Sequence, residues 1–242
     1  MDNNYRYRHE IKYRINGGTY HILRGRFAAV MEHDEHAKSG MYRVTSLYFD
    51  DVYRTAYKDK VNGALKRKKY RVRAYGHDTD GFRTEPSLIR LEEKVKHENV
   101  GFKKTTVLTM EQYKSLLAGD FGIFAGEEYA DTAAGDMFAS DRAAHLSPAV
   151  IVDYLREAYT CRAGNVRVTF DMKISACTSG YDIFREDNVF CTVMPDNDIV
   201  LEVKYDSFMP DYVRQLLSGI TAQQESVSKF ILCSDRLRGN YL

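Results

Sequence analysis

The feature that most constrains the fold is a period-two alternation of charged and apolar residues in several segments. In segment 67–75, every second residue is basic and the residues between them are mostly apolar. Residues two apart in a β-strand point to the same side of a sheet, so this pattern predicts a strand with one charged and one apolar face. Similar alternation predicts further strands over 8–15, 89–96, 165–174 and 199–205. Such strands are typical of an antiparallel sheet whose two faces meet different environments.

The remaining segments complete a predicted α+β fold in one domain over residues 1–242. Further strands are expected over 44–50, 101–108 and 149–159. Helical patterns occupy 19–32, 53–60, 109–117, 210–217 and 224–236. Thr19 and Thr109 are the predicted N-caps of two of these helices. Residues 118–147 show little periodicity and are expected to be irregular, with a short helix at most.

Composition excludes several classes of protein. The chain has 35 Lys and Arg against 34 Asp and Glu, a formal net charge of +1, which argues against a nucleic-acid-coating protein. No apolar run is long enough to span a membrane, and residues 1–6 contain no apolar signal segment, so a cytoplasmic protein is expected. The four cysteines lack metal-ligand spacing and are interpreted as reduced, packed thiols.

A Glu-x-Lys pair occurs three times on the alternating strands. The pairs are Glu10 with Lys12, Glu92 with Lys94, and Glu202 with Lys204. The simpler interpretation of each strand is a sheet with one face in water. The alternative is a closed barrel with the charged faces inward, which would bind a polyanion such as phosphate through Lys and Arg. The carboxylates would then hold a divalent metal that bridges phosphate oxygens.

Other chemistries have weaker support. The sequence contains no P-loop motif, no H-E-x-x-H and no G-x-S-x-G, and its seven His residues lack ligand spacing. The basic run 66–69 is divided between two faces of its strand and lacks interleaved aromatic residues, so a nucleic-acid patch is not favoured.

A set of short motifs, in order from Glu10 to Phe230, resembles the VTC domain, the polyphosphate polymerase domain of the vacuolar transporter chaperone complex. The motifs are E-I-K-Y, S-L-Y-F-D, K-K-Y-R-V-R-A-Y, L-E-E-K-V-K, Y-L-R-E-A-Y, V-R-V-T-F-D, L-E-V-K-Y and S-V-S-K-F. That family belongs to the triphosphate tunnel metalloenzymes. The resemblance implies a closed antiparallel barrel around a basic tunnel, with flanking helices and a C-terminal helix that closes one end.

The resemblance also implies roles for individual residues. The implied catalytic residues are Arg71, Arg73, Lys94, Arg167, Lys204 and Lys229. The implied substrate-binding residues are Lys12, Tyr154, Arg156, Ser228 and either Lys103 or Lys104, between which the register does not decide. Glu202 matches the metal-binding glutamate, and Glu10 and Glu92 are added as candidate metal ligands by the Glu-x-Lys pattern.

The activity implied by the resemblance is extension of polyphosphate from the γ-phosphate of ATP, with Mn²⁺ or Mg²⁺ as the cofactor. Ser226 stands where the polymerase of that complex has a lysine, a departure that leaves two alternatives open. The first is a metal-dependent tripolyphosphatase or nucleoside triphosphatase on the same scaffold. The second is a module that binds polyphosphate or triphosphate without turnover.

Overall fold

The structure is a computed structural model that describes residues 8–34, 40–76, 88–98, 100–220, 222 and 224–239. Its strands are β1 (Arg8–Asn16), β2 (Glu32–His33), β3 (Tyr42–Asp51), β4 (Lys66–Gly76), β5 (Ile89–His97), β6 (Val100–Leu108), β7 (Leu146–Cys161), β8 (Val166–Cys177), β9 (Phe190–Thr192) and β10 (Asp198–Tyr205). Its α-helices are α1 (Gly17–Ala28), α2 (Thr55–Val61), α3 (Met110–Leu117), α4 (Ala133–Ala144), α5 (Asp211–Leu216) and α6 (Lys229–Leu237). No helix in the described ranges is both long and apolar enough to cross a membrane.

Eight of the strands form a hydrogen-bonded ring. Their order is β7-β3-β4-β5-β6-β1-β10-β8, and pairing of β7 with β8 completes the circuit. Every pairing is antiparallel, and the short strands β2 and β9 attach to β7 and β8. The predicted α+β fold with a large antiparallel sheet is therefore confirmed, and the ring gives each strand an inner and an outer face.

The outer apolar faces pack against helices. On one side, Leu23 and Phe27 of α1 pack in a buried cluster with Val168 and Leu201 of the sheet. On the other side, helices α3 and α4 cover strands β4 to β6 in a second buried cluster. Because these apolar residues alternate along each strand, the charged residues between them point into the ring.

Helix α6 packs against one end of the ring interior. Phe230 and Cys233 of this helix lie in a third buried cluster with residues of β7 and β10, including Val152 and Val200. The interior thus contains an apolar cluster at the α6 end in addition to its charged residues.

Three local expectations are wrong in detail. Helix α1 begins at Gly17 because the side chain of Asn16 caps it and accepts a hydrogen bond from the Thr19 amide at 2.9 Å. Ile22, whose spacing with Leu23 and Phe27 predicts a place on the buried face of that helix, is instead 55% exposed. Residues 118–147, expected to be irregular with a short helix at most, contain the twelve-residue helix α4. Its alanines favour a helix, and its Met137 is fully buried.

The last helix is shorter than predicted. Residues 224–228 are not helical, because Gln224 forms a β-bridge with Tyr13 and the Glu225 amide donates a hydrogen bond to the Lys12 carbonyl at 3.0 Å. Only from Lys229 does the chain become helical. All four cysteines are free thiols, as predicted.

Candidate functional site

A cavity of about 710 Å³ lies at the charged inner faces of the ring strands. Its basic lining residues in the described part of the chain are Lys12, Lys60, Arg67, Lys69, Arg71, Arg73, Lys94, Lys96, Arg156, Lys204 and Lys229. Its acidic lining residues there are Glu10, Glu202 and Glu225. Eleven cations against three carboxylates make this a binding site suited to a multiply charged anion.

The two Glu-x-Lys pairs of β1 and β10 form a checkerboard at this cavity. Antiparallel register places Glu10 opposite Lys204 and Lys12 opposite Glu202. The Lys12 ammonium lies 2.9 Å from Glu10 and 3.6 Å from Glu202, and Lys204 lies 3.2 Å from Glu202. Lys94 of β5 adds a second ammonium 2.7 Å from Glu10. The carboxylates are thus held in place by lysines from three strands.

The surrounding lysines keep these glutamates ionised. Burial and the charge of Glu202 both favour the neutral form of Glu10, but Lys12, Lys94 and Lys204 lower its pKa to about 2. Burial likewise opposes ionisation of Glu202, and Lys204 and Lys12 hold its pKa well below the usual range. Burial lowers the pKa of Lys204 itself to about 7, despite its two carboxylate neighbours.

Two arginines of β4 occupy the inner part of the cavity. Arg71 is 2.7 Å from the Glu92 carboxylate and donates a hydrogen bond to the Tyr48 hydroxyl at 2.9 Å. Arg73 donates instead to neutral groups, the Ser46 hydroxyl at 2.9 Å and the Tyr154 hydroxyl at 3.2 Å. Arg73 is only 6% exposed, and no carboxylate of the described residues forms an ion pair with it. A buried guanidinium that is not paired with a carboxylate favours an anionic ligand.

A third group of charges joins the ring to α6. Arg156 binds Asp171 through two hydrogen bonds of 2.6 and 2.8 Å, and the Lys229 ammonium lies 2.5 Å from the same carboxylate. Burial favours protonation of Asp171, but Arg156 and Lys229 lower its pKa to about 2. Asp171 therefore stays ionised and orients both cations at the α6 end of the cavity.

A fourth group of cations has no carboxylate partner in the described part of the chain. We call Lys60, Arg67, Lys69 and Lys96 the distal cations. Arg67 lies directly opposite Lys96 in the β4–β5 pairing, and Lys69 lies opposite Lys94. Lys60, from α2, hydrogen-bonds the Ser226 hydroxyl. Burial and then Arg67, Lys12 and Lys96 lower the pKa of Lys60 to about 8.

The structure brings most of the predicted site residues to this cavity. Those that line it are Glu10, Lys12, Arg71, Arg73, Lys94, Tyr154, Arg156, Glu202, Lys204, Ser228 and Lys229. Ser228 belongs to the extended segment before α6, rather than to the helix in which it was predicted. The roles proposed for these residues remain predictions.

Glu92 and the two candidate lysines of β6 lie elsewhere. Glu92 is fully buried, and its two oxygens are bound by Arg71 and by Lys103 at 2.5 Å, so it positions those cations and does not line the cavity. Lys103 faces Glu92, whereas Lys104 points to the outer side and pairs with Asp136 of α4 at 2.5 Å. Of the two lysines, only Lys103 therefore lies on the inner face.

Arg167 is also absent from the lining. It lies opposite Lys204 in the β8–β10 pairing, but its guanidinium forms an ion pair with Asp34 at 2.8 Å and donates a hydrogen bond to the Tyr42 hydroxyl at 2.8 Å. Asp34, which follows β2, had no sequence signal that connected it with β8.

Four lining cations were not among the predicted site residues. Strand alternation alone could have indicated Arg67, Lys69 and Lys96, because each shares a face with a predicted residue. Lys60 had no such signal, since it lies on a helix outside the ring and reaches the cavity only in the folded protein.

The residues that could hold a divalent metal are Glu10 and Glu202. Their carboxylates both contact the Lys12 ammonium, and Thr169, which lies opposite Glu202, has a buried hydroxyl without a hydrogen-bond partner. Among the described residues, no three His, Cys, Asp or Glu side chains are arranged to hold a metal alone. Mg²⁺ usually binds one or two carboxylates together with substrate phosphates, and this donor set fits that pattern.

Comparison with known proteins agrees with this geometry. Residues 7–238 match the family model of the VTC domain. A search of curated proteins found no significant match. Among solved structures, similarity extends to a Hippeastrum protein proposed to be an adenylyl cyclase and described as having a dominant triphosphatase activity. The TM-score is 0.55 at 12% identity, covering 98% of this chain and 97% of that one.

A second solved structure is a Bacillus halodurans protein proposed to be an adenylate cyclase. Its TM-score is 0.50 at 10% identity, over 92% of this chain and 95% of that one. At these identities the likeness establishes a shared fold.

Proposed function

Because the chain belongs to the VTC-domain family, we propose that it is a metal-dependent phosphotransferase that extends polyphosphate from the γ-phosphate of ATP. The observation that carries this proposal is the excess of cations around an interior cavity, which the described residues line with eleven Lys and Arg against three Glu. A phosphate chain carries negative charge along its whole length, and such a lining offers it several cations at once.

The reaction needs positioning more than covalent help from the protein. A terminal phosphate oxygen of the chain attacks the γ-phosphorus of ATP, forming a new P–O–P bond. The bond from the γ-phosphorus to the oxygen that bridges it to the β-phosphate breaks in line, and ADP leaves with that oxygen. Arg71, Arg73 and Lys229 line the cavity, and in this reaction they contact the non-bridging oxygens and offset their charge in the transition state.

Glu10 and Glu202 are the residues that would hold Mn²⁺ or Mg²⁺. When bound, the metal would supply positive charge that offsets the negative charge of the triphosphate. The two glutamates are suited to this because their lysine neighbours keep their pKa values low and hence their carboxylates ionised.

The test is to incubate the purified protein with ATP and Mn²⁺ or Mg²⁺ and to separate the products on a gel. We expect long phosphate chains together with ADP, and we expect Arg73→Met to reduce chain formation by at least about a hundredfold, the loss typical of one transition-state donor. Lys68→Met is the matched control, because Lys68 lies on the outer face of the same strand and hydrogen-bonds Ser140. Intact ATP without chains would refute the proposal.

Water can replace the chain terminus as the acceptor, so triphosphate hydrolysis is the alternative function. The Hippeastrum protein of similar fold, described as having a dominant triphosphatase activity, makes this the second candidate. Phosphate release without chain growth in the same assay would favour the hydrolase. Tight polyphosphate binding without any turnover would favour a binding module.

A further inference from the structure

The distal cations have a charge arrangement that the free protein does not neutralise. The β4–β5 register places Arg67 directly opposite Lys96 and Lys69 directly opposite Lys94. Like charges at directly opposite positions destabilise a sheet. The charge of Lys94 is offset by its ion pair with Glu10. No carboxylate of the described residues pairs with Arg67, Lys69 or Lys96. A structure that places these cations face to face is suited to an anion that lies between them.

The distal cations are separated along the sheet from the arginines of the inner part. Arg67 and Arg73 are six residues apart on one strand, which corresponds to about 20 Å. Arg71, Arg73, Arg156 and Lys229 can bind the reacting phosphates at one end of this row. Lys60 and Lys69 face the same cavity nearer to the other end, and they leave a second group of cations for additional phosphates.

Two elements from outside the ring converge on this second group. Helix α2 brings Lys60 to Ser226 of the extended segment before α6. That segment is held against β1 by the hydrogen bond that the Glu225 backbone amide donates to the Lys12 carbonyl. Lys69 lies over the ring of Phe230, 4.4 Å from its centroid. Burial, followed by Lys60, Lys12, Lys94 and Arg67, holds the pKa of Lys69 well below its usual value. The contacts with Ser226 and Phe230 therefore hold the ammonium groups of Lys60 and Lys69 at the cavity.

We propose that Lys60, Arg67, Lys69 and Lys96 form a distal subsite that binds the part of a polyphosphate chain beyond the reacting phosphates. The subsite makes the protein select long chains over triphosphate. This inference rests on the proposed function, because it assumes that the inner cations bind the reacting end of the same chain.

The test compares two ligands on matched variants. Affinities for triphosphate and for a polyphosphate of several tens of phosphates are measured by titration calorimetry at constant salt. The subsite variant is the double substitution Lys69→Gln with Lys96→Gln. The control is the double substitution Lys66→Gln with Lys68→Gln, which also removes two positive charges, but from the outer face of β4. Thermal unfolding of both variants checks that they fold, and relief of like-charge contacts predicts an unchanged or higher Tm for the subsite variant.

We expect the subsite variant to lose affinity for polyphosphate by roughly tenfold or more, the effect of removing two charge-assisted contacts, and for triphosphate by less than about threefold. The control should change the ratio of the two affinities by less than about twofold. Equal losses for both ligands, or unchanged polyphosphate affinity in the subsite variant, would overturn the inference while leaving the proposed function intact. A parent protein that binds neither ligand would overturn the proposed function, and the subsite with it.

Discussion

Replacement of Glu92 by glutamine tests whether the buried ion pair beneath the cavity holds Arg71 in place. Glu92 is fully buried, accepts hydrogen bonds from Arg71 at 2.7 Å and from Lys103 at 2.5 Å, and is the nearest carboxylate to both. Removing one partner of a buried pair leaves the other charge uncompensated, at a typical cost of about 3 to 5 kcal/mol. When the Glu92 charge is removed, the Lys103 ammonium can move into water, because its side chain is already 44% exposed. Arg71 keeps its hydrogen bond to the Tyr48 hydroxyl.

The lower end of that range is therefore expected, about 3 kcal/mol less free energy of unfolding at pH 7. For a chain of this length, that loss corresponds to a fall in Tm of about 6 to 12 °C. The assay is urea unfolding at low salt without phosphate, since a bound anion would compensate Arg71.

The matched control is Glu93→Gln at the adjacent position. Glu93 is also buried, but it lies on the outer face, where burial and Asp136 raise its pKa although the Tyr70 hydroxyl donates a hydrogen bond to it. A glutamine resembles the protonated carboxyl, so we expect this substitution to cost less than about 1 kcal/mol. The reasoning is refuted if Glu93→Gln costs as much as Glu92→Gln, or if Glu92→Gln costs less than about 1 kcal/mol.

The pH dependence provides a second check. Burial opposes ionisation of Glu92, but Arg71, Arg73 and Lys103 hold its pKa well below the usual 4.5. A carboxyl whose folded pKa is lowered contributes stability above its unfolded pKa and loses that contribution as the pH falls towards the folded value. The difference in unfolding free energy between the parent and Glu92→Gln should therefore be constant near neutral pH and shrink below pH 4.5.

Three further outcomes are expected. Polyphosphate binding at pH 8 should take up protons, because Lys60, whose pKa is lowered to about 8, becomes fully charged beside an anion. Calorimetry in buffers of different ionisation enthalpy measures this uptake. Binding heats that do not depend on the buffer would contradict the prediction. Asp171→Asn, which removes the shared partner of Arg156 and Lys229, should reduce the unfolding free energy by about 3 kcal/mol in urea, with partial recovery on adding polyphosphate. A thiol reagent should label the half-buried Cys161 and Cys191 before unfolding, and the buried Cys177 and Cys233 only after it; equal labelling rates for all four would argue against this packing.

The strands of the ring could be predicted because each carries its own pattern. Alternation over 67–75 predicted both the strand and the residues that share its charged face, and β4 extends only one residue further at each end. The same pattern placed Lys12, Lys94 and Glu202 at the cavity. Period-two patterning is local, so it remains readable before the pairing of strands is known.

The parts that failed depend on contacts between distant segments. Residues 224–228 have helical spacing, but pairing with β1 at Tyr13 and Lys12 keeps them extended. Lys60 reaches Ser226 only because α2 and this segment meet at the cavity. Arg167 shares the predicted face but turns its guanidinium to Asp34, whose position depends on β2 pairing with β7. No local pattern encodes these contacts, so sequence periodicity could not indicate them.

The near-zero net charge has a different meaning once the charges are located. Eleven of the 35 Lys and Arg line the cavity in the described part of the chain, against three of the 34 Asp and Glu. Outside this lining, the described residues include 21 basic and 26 acidic side chains, an excess of negative charge. Fields inside a cavity with low-dielectric walls are focused, whereas charges at the outer surface are screened by salt over about 10 Å. Under the proposed function, this distribution repels a phosphate chain from the outer surface and attracts it to the cavity, so the balance that disfavours a general nucleic-acid coat favours an interior site for the chain.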